Sequence, residues 1–192
     1  DHWFVEVETP VLHEQAGGAA AKPFETYHNA LDTPLVLRIA LELHLKRLLV
    51  GGMERVFEIG RVFRNEGLST RHNTEFTMLE AYQAFADYTD MMELVEAMLS
   101  GLASEITGGP GVTAGDTVYD FTPPWPRVRF VEGVLEHSGI DLHTATDEQM
   151  RARLVAYRTP REAAEALAGP RLMDELFKEF VEPRLVQPTF VV

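Results

Sequence analysis

The sequence predicts an α/β (α+β) fold in which an antiparallel sheet is flanked by helices. Residues 54–64 (ERVFEIGRVFR) and 75–85 (EFTMLEAYQAF) are typical of two strands, and 89–107 repeats apolar residues at helical spacing. The polar stretch 66–74 joins the two strands into a hairpin whose connection is longer than a hairpin needs. A long connection of this kind favours a functional loop.

Composition excludes several classes of protein. Hydrophobic residues make up 45% and charged residues 24%, which are ordinary globular values and exclude disorder as the main state. The absence of cysteine excludes disulfides, thiolate metal sites and cysteine nucleophiles. No apolar run of about 18 residues and no basic N-terminal region is present, so we expect a cytoplasmic protein without a membrane partner.

The charge balance restricts how an anion could be bound. The formal net charge is −13, so the overall field does not favour polyanions. A nucleotide would need a local basic cluster, and residues 61–73 offer Arg61, Arg64, Arg71 and His72 against Glu66.

The elements before the hairpin follow from local patterns. Residues 3–8 alternate as a half-exposed strand that ends at Thr9 and Pro10, and 14–23 is a small-residue loop. Residues 35–39 suit a short buried strand. The strong helix formers at 40–50 predict a helix, which Gly51 and Gly52 end.

The elements after the hairpin are mostly helical. A capping box of Asp90 and Glu93 predicts the start of the 89–107 helix, and 109–129 is rich in glycine, proline and threonine. Two further helices are predicted at about 146–157 and 160–181, with capping boxes Thr146/Gln149 and Thr159/Glu162. A last strand, 188–192, suggests that the sequence is part of a longer chain.

The hairpin places polar side chains on one face of the sheet, because strand residues alternate between two faces. That face is predicted to carry Glu58, Gly60, Val62, Arg64, Phe76, Met78, Glu80, Tyr82 and Ala84. The opposite face, which could cover a core, is predicted to carry Phe57, Ile59, Phe63, Thr77, Leu79 and Ala81. An aromatic ring beside arginine and histidine suits a nucleotide, and carboxylates beside a tyrosine suit an ammonium group.

Simpler interpretations exist for the same residues. Arg64 and Glu66 could form an ion pair at a strand end, and Glu42 could pair with Lys46 one helical turn away. Phe76 and Tyr82 could be core aromatics, His72 an ordinary loop residue, and Gly17-Gly18 a turn. The other histidines, including His28, His44 and His137, show no metal-ligand spacing.

The motifs, taken together, resemble class II aminoacyl-tRNA synthetases. Motif 2 of that family is similar to FRNE (63–66), RHN (71–73) and EFT (75–77), and the end of motif 1 is similar to VEVETP (5–10) with its proline at Pro10. The lysine-specific branch is resembled in particular by GGAAAKPF (17–24), HNALD (28–32), RNEGLSTRHNTEFTMLEAY (64–82) and VEPRLVQPTF (181–190).

The resemblance implies roles for individual residues. Arg64 would be the catalytic residue, touching both the α-phosphate of ATP and the carboxylate of L-lysine. Glu66, His72, Asn73 and Phe76 would bind ATP, with Phe76 stacked on the adenine. Gly18 and Glu42 would hold the α-ammonium of lysine, and Glu80 and Tyr82 its ε-ammonium.

The resemblance also implies a division of the chain. Residues 1–129 would be the catalytic core, 130–180 a helical connection between motifs 2 and 3, and 181–192 a return strand of an incomplete core. The third motif, the Mg²⁺ ligands and the anticodon-binding domain would lie elsewhere, so no metal site is expected in this segment. We expect little or no aminoacylation activity from these 192 residues alone, and a homodimeric parent protein that charges tRNA.

Two alternatives remain open from the sequence. The chain could belong to a related ligase that attaches lysine to elongation factor P, although the segments GGAAAKPF and HNALD favour the tRNA ligase. It could also be a non-catalytic dimerisation or regulatory module derived from a synthetase.

Overall fold

The structure is a computed structural model that describes residues 3–70 and 72–192. It divides into two compact units, one ending at Asp87 and one beginning at Tyr88. Each unit has its own core of buried apolar side chains. The predicted division at 129 and 180 follows motifs, not compactness, and stays a prediction.

The first unit contains two small sheets and one helix. Its elements are β1 Val5–Glu6, β2 Leu12–His13, β3 Glu25–His28, β4 Thr33–Leu37, α1 Glu42–Val50, β5 Arg55–Phe63 and β6 Glu75–Gln83. One sheet has the order β1-β5-β6, with β1 parallel to β5 at the edge and β5 antiparallel to β6. The other is antiparallel with the order β2-β4-β3.

The register of β5 and β6 decides which side chains share a face. Glu58 pairs with Glu80, and Val62 pairs with Phe76. Because directly paired residues point to the same side of a sheet, the predicted polar face is confirmed. We call it the even-numbered face, and it carries Val56, Glu58, Gly60, Val62, Phe76, Met78, Glu80 and Tyr82.

The predicted core face is wrong, because the core of this unit lies against the even-numbered face. Val56 and Val62 are fully buried there with Leu41 and Leu45, which come from the start of α1. On the opposite face Ile59 is 54% exposed and Leu79 is 47% exposed. Both faces carry apolar residues, so alternation alone could not tell which one α1 covers.

The second unit consists mainly of helices. Its elements are α2 Tyr88–Thr107, β7 Gly111–Ala114, β8 Thr117–Asp120, β9 Arg127–Val128, α3 Phe130–Ser138, α4 Asp147–Tyr157, α5 Arg161–Glu165, α6 Pro170–Phe180 and β10 Phe190–Val191. β7 and β8 form an antiparallel hairpin, and β10 pairs parallel with β9. Leu154, Leu172, Leu176 and Phe180 lie in its core.

Helix ends in this unit confirm some predictions and correct others. The capping box of Thr146 and Gln149 is present at the start of α4. The single helix predicted at 160–181 is wrong, because Gly169 adopts a φ of 53° and Pro170 begins a new helix. The cap predicted at Thr159 is absent from α5, whose N-cap is Pro160.

The predicted fold class is confirmed, since small sheets and six α-helices alternate along the described chain. Among residues 3–70 and 72–192, no helix is both long enough and apolar enough to cross a membrane.

Candidate functional site

Arg64 lies directly after β5, at the end of the even-numbered face. Its backbone N–H donates to Thr74 O at 2.8 Å, which keeps this end of the hairpin closed. Its side-chain Nε donates to Ile39 O at 3.3 Å, and its guanidinium lies 5.3 Å from the centre of the Phe76 ring. Arg64 and Phe76 are therefore neighbours, as the face predicted.

A first cavity of about 730 Å³ opens beside Arg64. It is lined by Arg64, Glu66, Gly67, Leu68, Ser69, Thr70, His72, Asn73 and Phe76. All five residues assigned to ATP from the resemblance therefore border one space. That space combines an aromatic ring, a guanidinium, an imidazole and a carboxylate, which are groups that recognise a nucleotide.

A second cavity of about 450 Å³ also borders Arg64. It is lined by Gly18, Ala40, Glu42, Arg64, Met78, Glu80, Ala81 and Tyr82. All five residues assigned to lysine from the resemblance border this space. Two carboxylates against one guanidinium leave it with a formal charge of −1, which suits a cationic ligand.

Glu80 and Tyr82 are held together inside the second cavity. The Tyr82 hydroxyl donates to Glu80 Oε2 at 2.8 Å, and the Leu41 backbone N–H donates to Glu80 Oε1 at 3.0 Å. Burial, followed by the hydrogen bond to Glu80, raises the pKa of Tyr82 well above its usual range. The phenol is therefore protonated at neutral pH, and Glu80 presents a fixed, partly shielded negative charge.

Glu42 makes the helical ion pair that the sequence offered as an alternative. Lys46 Nζ lies 2.7 Å from Glu42 Oε1, and it also lies 5.8 Å from the centre of the Tyr82 ring. Glu42 nevertheless borders the second cavity, so the ion pair and the predicted role are compatible. Because both side chains are partly exposed, the pair contributes little to stability.

The Gly17-Gly18 turn closes one side of the second cavity. Gly18 adopts a φ of 85°, and a Cβ there would lie 2.9 Å from Glu42 Cβ and 3.1 Å from Ala40 Cβ. Glycine is therefore required both by the backbone conformation and by the close approach to Glu42. The same loop is bound to the residue after Arg64, because the Asn65 N–H donates to Lys22 O at 2.7 Å.

Sequence reasoning missed a buried ion pair beneath the site. Arg38 Nη1 lies 2.7 Å from Glu58 Oε1, and both side chains are less than 5% exposed. Thr9 Oγ1 donates to Glu58 Oε2 at 2.6 Å. The signal was present, because a lone arginine within the apolar run LVLRI requires a buried counter-charge.

The basic cluster predicted at 61–73 does not act as one group. Arg61 lies on the face opposite the cavities, where Nη1 is 3.5 Å from Glu75 Oε1. His72 Nδ1 lies 2.8 Å from Ser69 Oγ in the loop, and Arg71 lies outside the described residues. The ion pair considered between Arg64 and Glu66 is not among the salt bridges of the residues described. The cavities therefore share one described arginine, Arg64.

Metal ligands do not converge within the described ranges. Residues 3–70 and 72–192 contain no group of three or more histidine, aspartate or glutamate side chains that could hold a metal ion.

Curated proteins similar to this chain include several lysine–tRNA ligases. A lysine–tRNA ligase from Dehalococcoides mccartyi is 56% identical over 189 residues, which is 98% of this chain and 38% of the relative. Lysine–tRNA ligases from Listeria monocytogenes and Prochlorococcus marinus are 53% and 54% identical over 188 and 190 residues, again 98% of this chain. The chain therefore spans about 38% of the length of these relatives.

The family model for class II tRNA synthetases (D, K and N) matches residues 1–192. The resemblance drawn from motifs 1 and 2 thus agrees with a match over the whole chain. By this match over its whole length, the chain belongs to the class II tRNA synthetase family (D, K and N).

Proposed function

We propose that the protein carrying this chain is a lysine–tRNA ligase, and that these residues hold ATP and L-lysine during activation. The observation that supports the proposal most directly is the position of Arg64, which borders both cavities. The 50–56% identity to lysine–tRNA ligases supports the choice of lysine.

The proposed reaction begins between two anions. A carboxylate oxygen of lysine attacks the α-phosphorus of ATP, the bond to the bridging oxygen breaks, and pyrophosphate leaves. Arg64 would contact both the carboxylate and the α-phosphate, which offsets their repulsion and positions the attack. A hydroxyl of the terminal ribose of tRNA then displaces AMP from the lysyl carbonyl.

The other residues would bind and orient the substrates. Phe76 would stack on the adenine, while Glu66, His72 and Asn73 would contact the nucleotide from the 66–74 loop. Glu42 and the Gly18 backbone would hold the α-ammonium of lysine. Glu80 and Tyr82 would hold its ε-ammonium, because a carboxylate fixed by two donors provides a preorganised negative charge.

The family resemblance extends the proposal to the whole protein. Mg²⁺ would accompany ATP and reduce the charge of its phosphates, with ligands expected outside this segment. The protein would act in protein biosynthesis. We propose a cytoplasmic location, because translation, which uses the charged tRNA, takes place in the cytoplasm. A homodimer joined through motif 1 is also proposed.

Lysine-dependent ATP–pyrophosphate exchange by the complete protein tests the proposal. We expect Arg64→Gln to lower kcat by about 10²–10³-fold, because a fixed charge aimed at the reacting atoms is lost. Arg61→Gln is the matched control, since its exposed side chain lies on the opposite face, and it should leave kcat unchanged.

Three outcomes would contradict the proposal. Exchange that does not depend on lysine would exclude lysine activation. Transfer of lysine to elongation factor P, and not to tRNA, would favour the related ligase. Calorimetry that detects binding of neither ATP nor lysine would favour a non-catalytic module.

A further inference from the structure

The segment that joins β4 to α1 links both cavities through its backbone. This segment, residues 38–41, is buried along its whole length, with side chains between 0% and 3% exposed. Ile39 O accepts from Arg64 Nε at 3.3 Å, and Leu41 N–H donates to Glu80 Oε1 at 3.0 Å. The position of the segment therefore affects the positions of two charged groups, the Arg64 guanidinium and the Glu80 carboxylate.

The Arg38 side chain fixes this segment to the sheet. Its Nε donates to Arg61 O at 2.8 Å, and its Nη1 donates to Glu58 Oε1 at 2.7 Å and to Thr9 O at 2.9 Å. Its backbone O accepts from Phe63 N–H at 2.9 Å. The segment is thus bound to β5 at three positions shortly before Arg64.

Gly60 leaves space on the sheet for the Arg38 side chain. A Cβ on Gly60 would lie 2.4 Å from Arg38 Nη2 and 2.9 Å from Glu58 Oε1. The guanidinium therefore occupies the space that a side chain at position 60 would need. A lysine ammonium could pair with Glu58, but it lacks the planar donors that reach Arg61 O and Thr9 O together.

Stability alone does not account for this pair. Desolvating two charges costs about as much as their attraction returns, so a buried ion pair is weak support for a stabilising role. Its geometric effect is specific, because Arg38 and Ile39 are neighbours in the chain and Ile39 O accepts from Arg64. A shift of the segment would move this acceptor.

We propose that Arg38 is a positioning residue for Arg64. By holding the 38–41 segment against β5, Arg38 keeps Ile39 O where it orients the Arg64 guanidinium between the two cavities. The inference rests on the proposed function for its kinetic consequence. Arg38 borders neither of the two cavities described, so it acts through Arg64 and not on the substrates.

The kinetic test uses Arg38→Lys in the complete protein. We expect kcat for lysine-dependent exchange to fall by about 10–100-fold while each KM changes by less than about threefold, because a displaced guanidinium mainly affects the transition state. Arg127→Lys is a matched control in the second unit. Arg127 also pairs with a buried glutamate, Glu96 at 3.0 Å, and bonds a backbone carbonyl, Trp125 O at 2.7 Å.

A double variant separates a positioning role of Arg38 from a general structural role. In an Arg64→Gln background, Arg38→Lys should lower kcat by less than about twofold further, because the group it orients is already absent. If the two losses multiply, Arg38 does not act through Arg64 and the inference is overturned. Should Arg38→Lys not fold, Arg38→Met with Glu58→Gln leaves no unpaired buried charge and carries the same expectations.

A crystal structure of Arg38→Lys provides a readout that does not depend on activity. We expect the Arg64 side chain to leave Ile39 O and the Phe76 ring, and an unmoved Arg64 would overturn the inference. Absence of lysine-dependent exchange in the unmodified protein would instead count against the proposed function alone. The two failures are therefore distinguishable.

Discussion

At the scale of single residues, Gly60 shows how the even-numbered face admits a buried arginine. The glycine is needed for space, since its would-be Cβ lies within 3 Å of both members of the Arg38–Glu58 pair. Gly18 is needed for a second reason as well, because its φ of 85° strains any other residue. Two glycines in one site thus serve different physical requirements.

Gly60→Ala is expected to destabilise the first unit by about 1–3 kcal/mol, because the added methyl forces the buried pair to shift. Hydrogen exchange at the β5 amides measures the change. Gly101→Ala is the control, since that position in α2 faces open space and alanine favours a helix. Unchanged protection of β5 in Gly60→Ala would show that the pair moves without cost.

At the scale of elements, two histidines link β2 to α1. His13 is 6% exposed, and its Nε2–H donates to Pro10 O at 2.9 Å. Its ring lies 4.6 Å from that of His44 on α1. Burial is the main cause that lowers the pKa of both rings, and Arg38 and Arg47 lower each further.

The sign of this shift predicts acid sensitivity. Both folded-state pKa values lie below the ordinary 6.5, so the neutral rings stabilise the fold above pH 6.5 and this contribution is lost as pH falls below it. His13→Gln should flatten the dependence of the free energy of unfolding on pH below 6.5. Urea denaturation at several pH values tests this, and an unchanged slope in the variant would refute it.

The elements also show what the sequence could predict. The hairpin, the residues that share each face and α1 were predictable, because period-2 faces and strong helix formers leave clear patterns. The β7–β8 hairpin was missed within a segment rich in glycine and proline, where periodicity is weak, and α3, which follows that segment, was not predicted as a separate helix. The break at Gly169-Pro170 was missed, because proline is also common in the first turn of a helix and does not by itself show where the preceding helix ends.

Prediction of the site from the sequence had the same limits. The predicted site residues of β6 and of the loop before it border the two cavities, while their roles stay predictions. The pairing of Arg38 with Glu58 was not predicted, because the contact joins the segment after β4 to β5, a strand of a different sheet. The side of the hairpin that α1 covers is likewise a tertiary property.

At the scale of the whole molecule, the charge of −13 bears on the proposed tRNA partner. A field of this sign opposes the approach of a polyanion to these residues as a group. Any contact of this segment with tRNA must therefore be local.

The proposed homodimer is also a property of the whole protein. β1 lies at a sheet edge, and Val5 is 51% exposed there within the motif 1 segment. Val5→Glu should weaken association, because a charge would be buried in the interface. Sedimentation velocity of the complete protein should show twice the chain mass and a shift towards single chains in the variant.

Val118→Glu is the matched control for this change. Val118 is 58% exposed on β8 in the second unit, and it is not part of the motif 1 segment of the sequence. Dissociation in the control, or a single-chain mass for the unmodified protein, would contradict the proposed interface.

Because Arg64 borders both cavities, a ligand bound in one cavity lies beside a side chain that also lines the other. A ligand that immobilises the guanidinium from one cavity changes the free energy with which a second ligand binds in the other cavity. Thermodynamic reciprocity then requires the nucleotide to alter the affinity for the amino acid by the same factor as the amino acid alters that for the nucleotide. On the proposed function, a single side chain would thus make the two substrates cooperative ligands.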